Sequence, residues 1–553
     1  MARSILRGWL LVLLAALAIA AAVLVQSLLP AGPLLWDEAY HALWGARIAA
    51  DARAGDVLAL LYDSYRQVYW PPLYSWLAGL VIFFAGYSTE LVRAIGLVAL
   101  IGTALLLYAA ARPFASGRAG EVGGVAAGAV LLFSSAALEL APQAMLELPA
   151  LFFLVLGLWL YGWLWRSPAP PPAAWGGLGA TIVLTFLAKQ NYGVLLGLAV
   201  AGAFLVEGEW LRRQPSAAAR TRRRGHLLAA GTTALLLLLW FAYPQKIVQT
   251  LQSLRNTPWG PDASTLEGVL FYPRQFGWLA GSWLMAGVWL AALGAVLRRR
   301  ALADGRIWIL VVLIAFQLLF AQLSATKIAR HILPLVPAFA ILVGAQAARL
   351  SARWPRLTAG ALAALLGVHA AMVLPGLRPV GDPAARAALA AAVDAVGPAT
   401  IVVGNIDLPY SPATLDWELL RRGVLTVDGA GALTLASEIR FAGGVLPRLP
   451  EAVRQPLGRL PTRWPGERGA ATLYIGLPLD APDLELRAGG LSTAVVGATG
   501  RRPFERAVAL VPTPSPRFPD ATPEALEQAL ARAGFRVSAS RAVGSTVVMT
   551  LER

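Results

Sequence analysis

The sequence predicts a mostly α-helical, polytopic membrane bundle of about eleven spans. Interfacial helices are expected in its first outer loop, and a soluble α/β domain at its C-terminal end. Three observations carry this. Of the 553 residues, 57% are hydrophobic and only 14% charged, the balance of a polytopic membrane protein rather than a soluble one. Charge-free runs recur throughout residues 1–377. Beyond Gly376 the long apolar runs stop, and Pro, Asp and Arg increase.

The first run, Trp9 to Leu29, is 21 residues long, enough to cross a bilayer core, which takes roughly 20 apolar residues. It follows Arg3 and Arg7 as a signal sequence would. However, it exceeds the usual apolar core of such a signal, and no small-residue cleavage site precedes Trp36, so a retained span is expected. Ten more runs follow, near 94–111, 122–138, 148–165, 173–188, 190–206, 226–245, 275–297, 307–326, 331–348 and 357–377. With the N-terminus inside and the segments alternating, the inner ones hold 18 basic residues against four acidic ones (Glu121, Glu207, Glu209 and Asp304), while the outer ones balance at ten and ten. That is a positive-inside distribution. The net charge of +16 is therefore read as topology-setting charge rather than a nucleic-acid surface. The chain has no cysteine, which excludes disulfides, thiolate catalysis and cysteine-ligated metal.

Residues 67–89 are also uncharged. If they crossed, the arginine clusters at 212–224 and 298–306 would face outward, so 71–86 is predicted to lie in the outer leaflet as an interfacial or re-entrant helix. Pro71-Pro72 suits its start, and Tyr69, Trp70, Tyr74 and Trp76 suit an interfacial aromatic belt. The first outer segment, about 30–93, then contains Asp37, Glu38, Asp51, Asp56 and Asp63, with an amphipathic interfacial helix expected over 37–54. The predicted division is a membrane domain at 1–377 and a soluble extracytoplasmic domain at 378–553. In the latter, β-branched runs at 400–403, 472–475 and 545–551 predict strands, and helical patterns fall near 384–396, 413–422 and 523–533. No internal repeat, P-loop or dinucleotide fingerprint is present.

The polar residues of the predicted bundle gather on the outer face. Asp37 and Glu38 follow the first span, and Glu139 and Glu147 flank a later outer turn. The chain's three lysines, Lys189, Lys246 and Lys327, all fall on that side, against the charge rule, with Arg330 and His331 beside the third. Basic groups there can anchor helix ends among lipid head groups. Three of three on one face point instead to a phosphate or another anion. A carboxylate at the same surface can take a proton from an attacking hydroxyl or amine, or hold a divalent ion. Asp37, His41 and Glu147 are the candidate metal ligands, although one histidine with two carboxylates is a weak pattern. His226 and His369 are expected within helix packing.

Five motifs in order resemble the GT-C membrane glycosyltransferases, in the branch containing the protein O-mannosyltransferases and the lipid A aminoarabinose transferase. They are Trp36-Asp37-Glu38; Tyr69-Trp70-Pro71-Pro72-Leu73-Tyr74; Met145-Leu146-Glu147-Leu148-Pro149-Ala150-Leu151-Phe152-Phe153; Leu187-Ala188-Lys189-Gln190; and Ala329-Arg330-His331-Ile332-Leu333-Pro334-Leu335-Val336-Pro337. The resemblance covers residues 1–350. Departures are Glu147 where the family usually has Asp, Trp70 where it has His or Lys, and Arg330-His331 where it has Arg-Tyr. The resemblance implies transfer of a sugar from a polyprenyl-phosphate donor to a lipid, glycan or protein acceptor at the extracytoplasmic face of a bacterial inner membrane, with inversion. It implies Asp37 as general base, with Glu38 and Glu147 orienting the acceptor or an ion. Lys189, Arg330, His331, Arg93 and Lys327 would face the donor phosphate. Tyr69, Trp70, Pro72 and Tyr74 would line the lipid or acceptor groove. No cofactor is required by this reading beyond a candidate divalent ion. The alternative is a transporter or flippase of a lipid-linked substrate; such proteins tend to show repeats and broken midplane helices, whereas the charges here avoid the span interiors.

Overall fold

The computed structural model describes residues 2–395, except 66, 68–69, 214–216, 243–245, 248–249, 251–259, 299–303 and 325. It also describes 400–405, 412–423, 473–477, 506–512, 523–532 and 535–552. Helices form over all eleven charge-free runs. Among the described residues, seven are long and apolar enough to cross a bilayer: Arg7–Leu28, Thr89–Phe114, Glu147–Arg166, Arg220–Phe241, Gly305–Leu323, Leu335–Arg353 and Pro355–Gly376. Pro172–Ala188 and Gln190–Val206 are shorter apolar helices. The chain groups into two compact units, one of residues 1–27, 65–74 and 93–378, the other of 28–64, 75–92 and 379–553.

In the first unit, Leu335–Arg353 runs through the core, and every residue from Leu335 to Ala345 is buried. Its partner is Gly117–Leu132, whose glycines let two backbones meet. A methyl group added at Gly123 would lie 2.6 Å from the Gly344 carbonyl oxygen, and one at Gly344 equally close to that of Gly123. Without a hydrophobic force between helices in lipid, such small-residue contact supplies the packing.

Two predicted spans are corrected. The 275–297 run is not one straight helix: Leu266–Ala280 and Trp283–Arg298 meet at 105°. The bend is at Gly281, whose φ of 90° is a left-handed conformation that a side chain would strain. The 122–138 run likewise ends its first helix at Leu132 and restarts at Ser135. Hydropathy cannot see these breaks, because the residues flanking them stay apolar. Each break frees carbonyls, which in a membrane must find partners inside the protein. His369 serves both. Its Nε2 lies 3.0 Å from the carbonyl oxygens of Phe133 and Ala280, and its Nδ1 3.1 Å from Ser282 Oγ. Carbonyls only accept, so Nε2 carries the proton and Nδ1 accepts from the serine. Ser134 Oγ adds a 2.5 Å bond to the Leu279 carbonyl.

The second unit joins much of the first outer segment to the C-terminal residues. Five strands, β1 (Thr400–Asn405), β2 (Leu473–Leu477), β3 (Arg506–Pro512), β4 (Arg536–Val543) and β5 (Thr546–Glu552), form one sheet in the order β2-β1-β3-β5-β4. β2, β1 and β3 are parallel, and β5 and β4 antiparallel. The amphipathic helix Pro383–Asp394 lays Ala385, Ala388, Leu389, Ala392 and Val393 over Val508, Leu510 and Val548. Three of these strands and the three helices of this region follow the sequence pattern. β3 and β4 were not among the predicted strands; the side chains of β4 are mostly exposed, and its alternation stops at Ser540-Arg541.

Within this unit the Pro412–Arg421 helix packs against Trp36–Ala54. Thr414 Oγ1 donates to the Leu34 carbonyl at 2.7 Å, and the buried Trp417 indole donates to Thr89 Oγ1 at 2.8 Å. Arg386 pairs with Glu90 at 2.6 Å. Trp36–Ala54 is consequently covered by protein: residues 39–49 are buried, so this helix shows no lipid-facing stripe there. The exposed large apolar side chains of the segment fall instead on Val57, Leu58, Leu61 and Tyr62, and on Leu80, Phe83, Phe84 and Leu91.

Candidate active site

Glu147 opens the Glu147–Arg166 helix, where the helix dipole favours an anion. Lys189 terminates Pro172–Ala188 in an extended conformation (φ −157°) and donates its N–H to the Thr185 carbonyl, so its charge meets the negative end of that helix. Arg330 and His331 stand on a short 3₁₀ turn, Ala329–Ile332, anchored by the fully buried Ile332 and Leu333. The first unit brings these elements together. Lys189 Nζ donates to Glu147 Oε1 at 2.5 Å, and Arg330 Nε lies 3.3 Å from the same oxygen.

Exposure sets what the trio can do. The Glu147 side chain is 1% exposed, Lys189 15% and Arg330 30%. The carboxylate therefore stands behind, and its two cations are the accessible part. One negative charge against two positive ones leaves an excess of one positive charge. A net positive charge attracts an anion and repels a metal ion. Among the described residues no group of three or more His, Asp or Glu side chains is placed to hold a metal. Of the three expected metal ligands, Glu147 lies here, whereas Asp37 and His41 belong to the second unit.

His331 borders this charge. Burial, reinforced by the Lys189 and Arg330 charges, pushes its imidazole down to about 4, so it is neutral at pH 7. Gln317, buried in the Gly305–Leu323 helix, donates to the His331 carbonyl at 2.9 Å. Because the folded value lies below the ordinary 6.5, the unfolded chain binds a proton that the folded chain excludes between those two pH values. Stability should therefore fall as pH drops from about 6.5 to 4 and be unaffected by this group above 6.5. His331→Gln is expected to flatten that slope, by no more than about 3 kcal/mol, in thermal unfolding of the detergent-solubilised protein at pH 7, 5.5 and 4. An unchanged slope in the variant would exclude His331 as the titrating group.

Two neighbours escaped the sequence reading. Tyr192, three residues after Lys189, is fully buried, with its ring centre 5.3 Å from Lys189 Nζ; its hydroxyl has no hydrogen-bond partner among the described residues. The i,i+3 spacing from Lys189 was the available signal. Gln317 was visible as a lone amide inside an apolar run, a placement that membrane helices rarely tolerate without a role.

The remaining expected donor-side groups sit as follows. Lys327 is buried and donates to the Gln322 and Ala321 carbonyls at 2.5 and 3.2 Å, capping the end of Gly305–Leu323. Arg93 is fully buried in the second turn of Thr89–Ala111. Lys246 is also buried, and burial pushes its ammonium down to about 7. It donates to the Gln67 carbonyl, with Nζ 5.0 Å from the Trp240 ring centre. Tyr65 stacks on Trp240 at 5.0 Å and donates to the Leu239 carbonyl, so Tyr65 and Gln67 are both tied to this helix end. In the expected groove, Trp70 is half-buried, Pro72 and Tyr74 are buried, and Tyr69 lies outside the described residues.

Asp37, Glu38 and His41 belong to the second unit, in the first turns of Trp36–Ala54. Glu38 is 2% exposed and accepts the Leu35 N–H at 2.9 Å, closing the helix start as a capping residue. His41 is buried, and Asp37 is half-buried.

No family model and no curated protein matches the chain. Among solved structures, ArnT from Cupriavidus metallidurans in the apo state matches over 99% of this chain and 98% of that one, at 18% identity and a TM-score of 0.55. The same protein bound to undecaprenyl phosphate matches over 98% of each chain, at 17% identity and a TM-score of 0.54. The chain shares the GT-C fold of that structure, as expected from the resemblance of its five motifs.

Proposed function

We propose that this chain is a bacterial inner-membrane glycosyltransferase that takes a sugar from a polyprenyl-phosphate carrier. The observation that carries the reading is the buried Glu147 holding two partly exposed cations, Lys189 and Arg330, at the start of a spanning helix. A lipid-linked donor presents its phosphate at such a boundary, and fixed cations there offset the negative charge that develops as the phosphate leaves. The likeness in fold to ArnT, a protein crystallised with undecaprenyl phosphate, supports the same donor class.

In this reading an acceptor hydroxyl or amine attacks the anomeric carbon. The bond from that carbon to the phosphate oxygen breaks with inversion, and polyprenyl phosphate departs toward Lys189 and Arg330. Neutral His331 completes the phosphate side, with Arg93 and Lys327 contributing positive charge further off. Asp37 takes the acceptor proton. It is the candidate carboxylate for that task because Glu38 is engaged by the Leu35 N–H and Glu147 by two cations. Tyr69, Trp70, Pro72 and Tyr74 would guide the lipid or acceptor. The site and residues 378–553 would face the extracytoplasmic side, as the positive-inside distribution requires.

The test is chemical. Purified full-length protein, given a radiolabelled polyprenyl-phosphate sugar and membrane-derived acceptors, should release polyprenyl phosphate and label an acceptor. If label instead crosses a vesicle bilayer still attached to its carrier, with no release, the protein is a transporter.

A further inference from the structure

Both cations of the trio meet the same oxygen of Glu147. Lys189 Nζ lies 2.5 Å and Arg330 Nε 3.3 Å from Oε1. The other oxygen, Oε2, is buried and has no hydrogen-bond partner among the described residues. A second buried atom shares that condition. The Tyr192 side chain is fully buried, and its hydroxyl also lacks a partner among the described residues. Glu147 and Arg330 are the charges that act on this hydroxyl. The Lys189 ammonium is common to both side chains, 2.5 Å from Glu147 Oε1 and 5.3 Å from the Tyr192 ring centre.

An unanswered polar group is costly where water is excluded, and native folds keep few of them. Two in one cluster therefore call for a reason. They are complementary, because a carboxylate oxygen accepts and a phenol hydroxyl donates. Neither atom reaches the surface, so neither can meet a ligand directly. Lys189 is partly exposed, and its ammonium is a point charge on a flexible stem with rotatable donors. An anion arriving from the exposed side competes with Glu147 for it. As the ammonium turns outward, the buried carboxylate loses its nearer cation, and a buried charge short of partners is expensive. A donor held in reserve beside it offsets that loss.

We infer that Tyr192 is a positioning residue for the donor phosphate: its hydroxyl takes over Glu147 as Lys189 turns from the carboxylate to the phosphate. This rests on the function proposed above, since the phosphate is the anion that draws Lys189 away. Arg330 stays on Oε1, and Oε2 is the oxygen left for Tyr192. The exchange moves no proton and breaks no covalent bond. It lets Lys189 serve the phosphate without leaving Glu147 short of a donor.

Tyr192→Phe, which keeps the ring and removes the hydroxyl, tests this in two measurements on the full-length protein in detergent. The first is thermal unfolding in two backgrounds. While Lys189 holds Glu147 the hydroxyl is idle, so Tyr192→Phe should leave the midpoint unchanged or raise it. In Lys189→Met the carboxylate must turn to the reserve donor, so the same substitution should lower the midpoint by several degrees. The second is binding of undecaprenyl phosphate and donor kinetics with Lys189 in place. Tyr192→Phe should weaken that binding about tenfold, the worth of one hydrogen bond to a charged group. The donor KM should rise by a similar factor with kcat little changed, because the hydroxyl acts in every phosphate-bound state. The inference is overturned if Tyr192→Phe lowers the midpoint equally in both backgrounds, which is the mark of a structural hydroxyl. Unchanged affinity for undecaprenyl phosphate overturns it as well, and decides alone if Lys189→Met does not fold. Wild-type protein that binds no undecaprenyl phosphate would overturn the proposed function. The unfolding series needs no ligand, and so separates that failure from a failure of the Tyr192–Glu147 exchange.

Discussion

Lys189→Met is expected to lower sugar transfer by about 10²- to 10³-fold, the effect of removing one preorganised donor from a developing oxyanion. The same change strips Glu147 of its 2.5 Å partner. Removing one member of a buried ion pair costs up to about 3–5 kcal/mol, a cost that Arg330, 3.3 Å from the same oxygen, reduces here. Lost activity in that variant alone would therefore not distinguish catalysis from folding. The double variant Lys189→Met/Glu147→Leu does. Replacing both charges with apolar groups of similar volume is often neutral for stability, so the double variant should regain most of the lost thermal stability while remaining inactive in release of polyprenyl phosphate from the labelled donor. Recovery of activity together with stability would reduce the trio to a structural tie and remove the observation on which the proposed function rests.

Asp37→Asn should abolish transfer with little effect on folding. A positioned general base contributes about 10²- to 10⁴-fold, and an amide of the same shape cannot take the proton. Glu38→Gln separates the adjacent carboxylates. Its amide oxygen can still accept the Leu35 N–H, so activity should fall far less than in the Asp37 variant. Glu38→Ala should loosen the start of the Trp36–Ala54 helix by about 1 kcal/mol, as loss of a cap does. Both are read by the same labelled-donor assay alongside thermal unfolding. Near-normal turnover by Asp37→Asn would take Asp37 out of the mechanism while leaving the phosphate side untouched.

Much of this protein was legible residue by residue. The charge-free runs mark where helices form, because a bilayer admits few other spanning structures. Short β-branched runs found β1, β2 and β5. The ordered motifs found Glu147, Lys189 and Arg330 before any geometry did. Less was visible where a residue's task depends on a partner far along the chain. Glu38 and Asp37 are neighbours with the same chemistry, yet one turns inward to the Leu35 N–H and the other stays half-buried. Three lysines looked alike as anion ligands, yet Lys327 caps a helix, Lys246 holds the Gln67 carbonyl, and only Lys189 meets Glu147.

Hydropathy and charge placement are local properties, summed over a window, so the sequence by itself determined the membrane character, the helical runs and the α/β character of the tail. Tertiary structure decided the bend at Gly281 and its satisfaction by His369. It also decided the joining of residues 28–64 to those beyond 378, and the placing of one buried carboxylate behind two partly exposed cations. Each of these is a pairing between distant groups whose energy depends on distance, direction and burial, quantities that exist only once the chain has folded.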